Sequence, residues 1–210
     1  MQMLRIIFVG LGLFASVGIS QAQSTAARQA GTIILIPGAG GIHPKDFLVI
    51  TKELYEGAGF TVEITTSAWQ AQSLVSSHKA QGRAVTLVGM SLGGVTAAQA
   101  IAAGANPDKV VFAASGLMPP GTPNGSVMET IGDPQRLPRT LVLHHRGDEC
   151  RMTPPDAVQP FVRWARGRAK VRWIAGGGGP GFPCRPDTPH TFTGREREAA
   201  SAIIAFARGR

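Results

Sequence analysis

The sequence predicts an α/β protein, a single domain in which a mostly parallel sheet is covered by helices on both faces. Three observations carry this reading. Short β-branched runs alternate with helical patterns along the chain, the signature of strand–helix–strand units. The first run, 32–37 (Thr-Ile-Ile-Leu-Ile-Pro), is apolar throughout rather than alternating, as a strand buried on both faces must be. The chain has 210 residues, 43% hydrophobic and 16% charged, enough for one substantial core and too few for two. That composition also excludes a disordered chain.

The elements follow in order. After the strand at 32–37 comes a helical pattern at 44–56, with Phe47, Leu48, Ile50 and Leu54 on one side and Gly57 and Gly59 ending it. A strand at 60–65, a helix at 68–81 and a strand at 84–88 come next. An Ala-rich helix at 92–103 then leads to a strand at 109–114. A Pro/Gly-rich excursion spans 116–138, too short for a lid domain and at most a flap beside a site. A strand at 140–144 precedes Thr153-Pro154-Pro155-Asp156, which reads as a helix start with Thr153 as the N-cap and an acid in the first turn. That helix runs to about 165. The last strand, 171–174, is followed by a Gly/Pro loop at 175–193 and a final helix to about 207.

Residues 1–22 read as a secretory signal peptide. Arg5 supplies the positive start, 6–19 is apolar, and Ser20 and Ala22 place small residues at −3 and −1 of a cut before Gln23. The apolar stretch is short for a membrane span of about 20 residues, and no later segment is a candidate. The expected arrangement is a removed signal peptide at 1–22, a linker at 23–30 and the folded domain at 31–210. The expected location is outside the cytoplasm, periplasmic or secreted. The formal charge is +8. The densest basic run, 163–172, holds four Arg and one Lys, without an aromatic ladder or DNA-reading motif. It reads as a solvated face with weak attraction for anionic polymers or lipid surfaces, and no nucleic-acid partner is expected.

The chemistry centres on 88–94, Val-Gly-Met-Ser-Leu-Gly-Gly. A Gly-x-Ser-x-Gly pattern alone is common. Here it falls directly between a β-branched strand and an amphipathic helix, where a sharp turn lifts the Ser91 hydroxyl above the strand ends at a helix N-terminus. Gly89 and Gly93 flank it because side chains there would strike neighbouring backbone. A serine nucleophile needs a base, and that base needs an acid. Of the five histidines, His190 alone follows both the serine and a suitable acid. Asp148 ends the strand before the last one and is the favoured acid, with Glu149 beside it as the alternative. His144 and His145 are adjacent strand residues pointing to opposite faces, so they cannot readily share a metal ion. A structural or pocket-lining role is expected for His145.

In this order, Ser91…Asp148…His190 on a strand–Ser–helix turn, the chain resembles the alpha/beta-hydrolase fold family from about residue 31 to its end. The resemblance implies a sheet order of 2-1-3-4-5-6. It also implies an oxyanion hole of two backbone N–H groups, one from Leu92 and one from the turn after the first strand, Ala39 within 37–41. Pro37 stands where many esterases carry His. The Gly-rich turn lacks the Gly-Lys-Ser/Thr ending and the spacing of a phosphate cradle. Met90, Leu117 and Met118, beside the strand ends, are the expected pocket residues.

Cys150 and Cys184 form an even pair in an exported protein, which predicts a disulfide. It would tie the acid loop to the histidine loop, whose run 176–181 (Gly-Gly-Gly-Gly-Pro-Gly) is expected to be very mobile on its own. Closing that span would contribute roughly 3–4 kcal/mol in the chain-entropy picture. The function expected is hydrolysis of a carboxylic ester through an acyl-enzyme, on a small-molecule or polymer-end substrate, with no metal or organic cofactor required. Thioesterase, lactonase and peptidase chemistry would use the same triad, and a non-catalytic exported binding protein is the competing class. The sequence does not specify an oligomeric state.

Overall fold

In the computed structural model, which describes residues 30–122 and 125–209, six parallel strands form one sheet in the order β2-β1-β3-β4-β5-β6. The predicted signal peptide, and the linker except for Ala30, lie outside the described residues. The strands are β1 Thr32–Ile36, β2 Thr61–Ile64, β3 Val85–Met90, β4 Lys109–Ala113, β5 Arg139–His145 and β6 Ala169–Ile174. Their β-branched runs fall in the sheet as expected, and the central strands β1 and β3 are buried at every position.

Alternation along the strands divides the core into two layers. Ile34, Ile36, Leu87, Val110, Phe112 and Val142 face one way. There they meet α3 (Ala68–Ala80), α4 (Leu92–Ala102), α5 (Val127–Ile131) and α6 (Val158–Trp164). Ile33, Leu35, Val88, Val111, Leu141 and Leu143 face the other way. Their partners are α1 (Phe47–Ile50), α2 (Lys52–Gly57) and α7 (Glu196–Ala207).

The structure departs from the sequence reading in three places that matter for the site. The pattern at 44–56 is two short helices, and the first begins at Asp46, whose carboxylate accepts the Leu48 N–H at 2.8 Å. The 116–138 excursion is not simply a flap: α5 within it buries Val127, Met128 and Ile131 in the core, while Gly116 and Gly125 border a cavity beside Ser91. Strand β3 runs to Met90, so the serine stands immediately on its end.

That junction is tight. Ser91 adopts φ 52°, ψ −120°, sterically unfavourable for a residue with a side chain, and α4 starts at the next residue. A Cβ on Gly93 would sit 2.1 Å from the Ile36 carbonyl oxygen, and one on Gly89 2.4 Å from that of Gly93. The glycines thus let the first turn of α4 lie against the ends of β1 and β3, fixing Ser91 on rigid elements.

Candidate active site

The carboxyl ends of the strands bring together residues from four loops. Asp148, after β5, is buried, and its two oxygens have separate partners. Oδ1 accepts the Cys150 N–H at 2.9 Å. Oδ2 lies 3.0 Å from His190 Nδ1 and accepts the Thr153 hydroxyl at 2.9 Å. His190 sits in a 3-10 turn, Pro189–Thr191, with only 3% of its surface exposed. Thr153 Oγ1 also lies 3.1 Å from His190 Nδ1, so the three side chains form a closed triangle. Glu149, the alternative acid, is exposed.

Sequence reasoning missed Thr153. It is expected as an N-cap, but Pro154 takes the cap position without a side-chain bond, and the Thr153 hydroxyl goes to Asp148 and His190. A Thr before Pro-Pro-Asp looks the same in either role, so only its distance from Asp148 in space reveals the difference.

Ser91 and His190 line one cavity of about 410 Å³, together with Gly38, Ala39, Gly40, Met90 and Arg185. No hydrogen bond joins Ser91 to His190 among the described residues; such contacts commonly tighten only with substrate. A second cavity of about 290 Å³ also reaches Ser91, walled by Leu92, Val95, Gly116, Gly125, Met152 and Thr153. Ala39, Ser91 and Cys184 border both. The backbone N–H groups of Ala39 and Leu92 have no acceptor among the described residues.

Asp46 is a further residue that the sequence reading did not single out. Its Oδ2 accepts the Gly38 N–H at 3.0 Å while Oδ1 starts α1, so one carboxylate shapes the 38–41 turn beside Ser91. Burial pushes its pKa up, and the N–H bonds from Gly38, Leu48 and Val49 oppose that shift. An Asp just before an apolar helical pattern is a cap signal, but Pro44 hid it by suggesting an earlier start.

The expected pocket residues divide. Met90 lines the larger cavity. Leu117 is fully buried in the core layer of α3–α6, and Met118 packs partly against it; neither borders the two cavities. Ala114, at φ 41°, ends the extended backbone of β4, so strand alternation no longer predicts which way the next residues point.

Cys150 and Cys184 are disulfide-bonded, as the even count predicts. His145 adds a second tie between the same loops: its Nε2 lies 2.9 Å from the Gly176 carbonyl, and its Nδ1 accepts the Gly147 N–H at 3.0 Å. His144 is buried against Trp173, 3.9 Å from Asp148 Oδ2; burial lowers its pKa, and the Asp148 charge opposes that shift. Asp148, Cys150 and His190 are close enough to hold a metal ion, but the Cys150 sulfur is already bonded to Cys184.

The 175–193 loop is also better packed than its glycines imply. Gly178 N–H donates to the Thr193 carbonyl at 2.7 Å, and a Cβ on Gly177 would stand 2.4 Å from that same oxygen.

No protein-family model and no curated protein matches the chain by sequence. Comparison with solved structures does find relatives in shape. The monoacylglycerol lipase of Paleococcus ferrophilus is 16% identical over 86% of this chain and 95% of its own, with a TM-score of 0.59. The esterase domain of a Rhodothermus marinus protein is 13% identical over 88% of each chain, also at 0.59. An esterase from Exiguobacterium antarcticum is 12% identical over 85% and 93%, at 0.55. With the sheet order, these similarities give the chain the alpha/beta-hydrolase fold.

Proposed function

We propose that the protein is an exported serine hydrolase that cleaves small or polymer-end carboxylic esters through Ser91, His190 and Asp148. The observation that carries this is the buried Asp148–His190 pair facing a serine held at φ 52° across one cavity. A serine in that strained backbone, at the end of a buried strand, is hard to explain by stability alone. Export is supported by the signal-like start of the sequence and by the disulfide, a bond that persists in oxidising compartments.

In this reading His190 takes the Ser91 proton as the oxygen attacks the ester carbonyl. The Ala39 and Leu92 N–H groups hold the oxyanion, and Asp148 keeps the imidazole oriented and stabilises its charged form. His190 then protonates the departing alkoxide as the C–O bond breaks. Water, deprotonated by the same imidazole, releases the acid and restores Ser91. The group that His190 protonates must lie on its side of the serine. The larger cavity, which His190 lines, therefore receives the alcohol, and the smaller one, walled by Leu92, Val95 and Met152, receives a small acyl group.

A fluorophosphonate probe tests the assignment directly. Intact-mass analysis is expected to show one adduct, mapped to Ser91 by peptide sequencing and prevented by prior denaturation. An unlabelled native protein would favour a binding protein on the same scaffold.

Thr153 acts in this scheme as a positioning residue. Thr153→Val keeps the shape but removes the hydrogen bond to a charged acid, worth about 1.5 kcal/mol or more. The expected result is a kcat about tenfold lower with KM nearly unchanged. Wild-type kcat in the folded variant would remove Thr153 from the mechanism.

A further inference from the structure

The end of the sheet opposite the candidate active site carries a cluster of cations that the proposed hydrolysis does not use. Lys109 and Arg139 are register partners on β4 and β5, and Lys170 of β6 pairs with Leu141, two residues beyond Arg139. In a parallel sheet these positions share a face. That face is the one under α7, because Leu141 packs in the α7 layer and Lys109 Nζ reaches the Ala207 carbonyl. Arg168, in the turn before β6, joins them.

Arg139, Arg168 and Lys170 line a cavity of about 260 Å³, together with Pro138, Thr140, Gly167 and Phe206. Among the described residues none of the three forms an ion pair, and the Arg168 guanidinium donates only to the Leu137 carbonyl. Arg172, further along the same strand and face, by contrast has an acid partner, Glu198, which it shares with Arg195. The nearest acid in sequence, Asp108, is occupied by Lys79 and by the Val85 N–H. Lys109 shows the effect of this crowding: burial and the Arg139 charge both hold its pKa down. Like charges on adjacent strands are destabilising; Asp108 offsets this only at Lys109, so Arg139, Arg168 and Lys170, which have no acid paired to them among the described residues, leave a deficit that an anion would remove.

We infer that the amino edge of β4–β6 is an anion-binding site, which takes a phosphate- or sulfate-type group between Arg139, Arg168 and Lys170. Two guanidinium forks and an ammonium match a tetrahedral oxyanion, with bidentate bonds from the arginines and a point charge from the lysine. The basic run at 163–172 is thus not only a solvated face; strand pairing adds Lys109 and Arg139, which the linear sequence keeps far from it. The site lies at the opposite sheet edge from Ser91, so an anionic surface bound there would leave the ester cavity open. The inference does not depend on the hydrolase reading.

The test is thermal unfolding and calorimetric titration of the whole protein with inorganic pyrophosphate at low ionic strength. Vesicles of phosphatidylcholine with and without phosphatidylglycerol, in a sedimentation assay, separate a free anion from a lipid headgroup as the source. Wild type is expected to bind pyrophosphate and unfold several degrees higher in its presence. Arg139→Gln with Lys170→Gln should weaken binding about tenfold or more, unfold at or above the wild-type temperature without anion, and keep full ester turnover. A control that removes the same charge at the other edge, Arg146→Gln with Arg151→Gln, should bind as wild type does. Absence of a pyrophosphate response in wild type, or equal losses in the two double variants, would overturn the inference.

Discussion

Ser91→Ala is expected to lower kcat on an activated short-chain ester by about a hundred-thousandfold or more, with the fold preserved. The loss should be this large because the hydroxyl is the group that forms the covalent intermediate; without it the remaining N–H donors and binding contacts give only modest acceleration over water. The fold should survive because the Ser91 hydroxyl makes no hydrogen bond among the described residues, and alanine meets the same backbone strain at φ 52°. His190→Ala should lose a similar amount, and the double variant little more, since the two act as one unit. Purified, folded Ser91→Ala with wild-type turnover would sink the assignment.

The second large effect is expected from the disulfide. Reduction, or Cys150→Ser with Cys184→Ser, should lower kcat about a hundredfold while the far-ultraviolet signal of the sheet is retained. Cys150 follows Asp148 by two residues and gives its N–H to that carboxylate, whereas Cys184 precedes His190 by six in the chain. The bond also borders both cavities beside Ser91. Cutting it releases the loop that carries the base, and reacting groups displaced by about an ångström cost on the order of a hundredfold. The fold should lose roughly 3–4 kcal/mol, the loop-closure value for a separation of 34 residues. The His145 contact to the Gly176 carbonyl survives reduction and keeps the start of the loop attached. Full activity with both thiols shown free by alkylation would refute the proposed coupling.

Much of the fold could be read from the sequence because burial on both faces leaves a plain mark. The runs of β1 and β3 are buried at every position and, apart from Thr32 and Thr86, carry no polar side chain. The Ser91 turn was equally legible, since glycines at 89 and 93 are the residues a close strand–helix junction requires. The order of the strands came from the family resemblance, because alternation says nothing about which strand lies beside which. What was hidden depends on three-dimensional neighbours. Thr153 exchanges a cap for the Asp148–His190 pair, and Asp46 reaches back eight residues to Gly38. Leu117 is buried after a break in the extended backbone at Ala114 that composition does not announce. The basic cavity needs strand register to bring Arg139 next to residues that lie thirty positions away.

The glycine run before His190 has a consequence for how this loop can be stiffened at all. Replacing glycine by alanine ordinarily stabilises a protein by narrowing the unfolded ensemble, provided the folded backbone accepts a Cβ. At Gly177, Gly178 and Gly181 it does not: the added carbon would press within 3 Å of the Thr193 carbonyl, the Pro189 ring and the Thr188 side chain. Each of those residues lies within four positions of His190, so a bulkier loop would push on the segment that holds the imidazole. Substitution along the run is therefore a closed route to rigidity. A covalent cross-link restricts the same ensemble without adding volume where the two segments touch, and the Cys150–Cys184 bond meets that need.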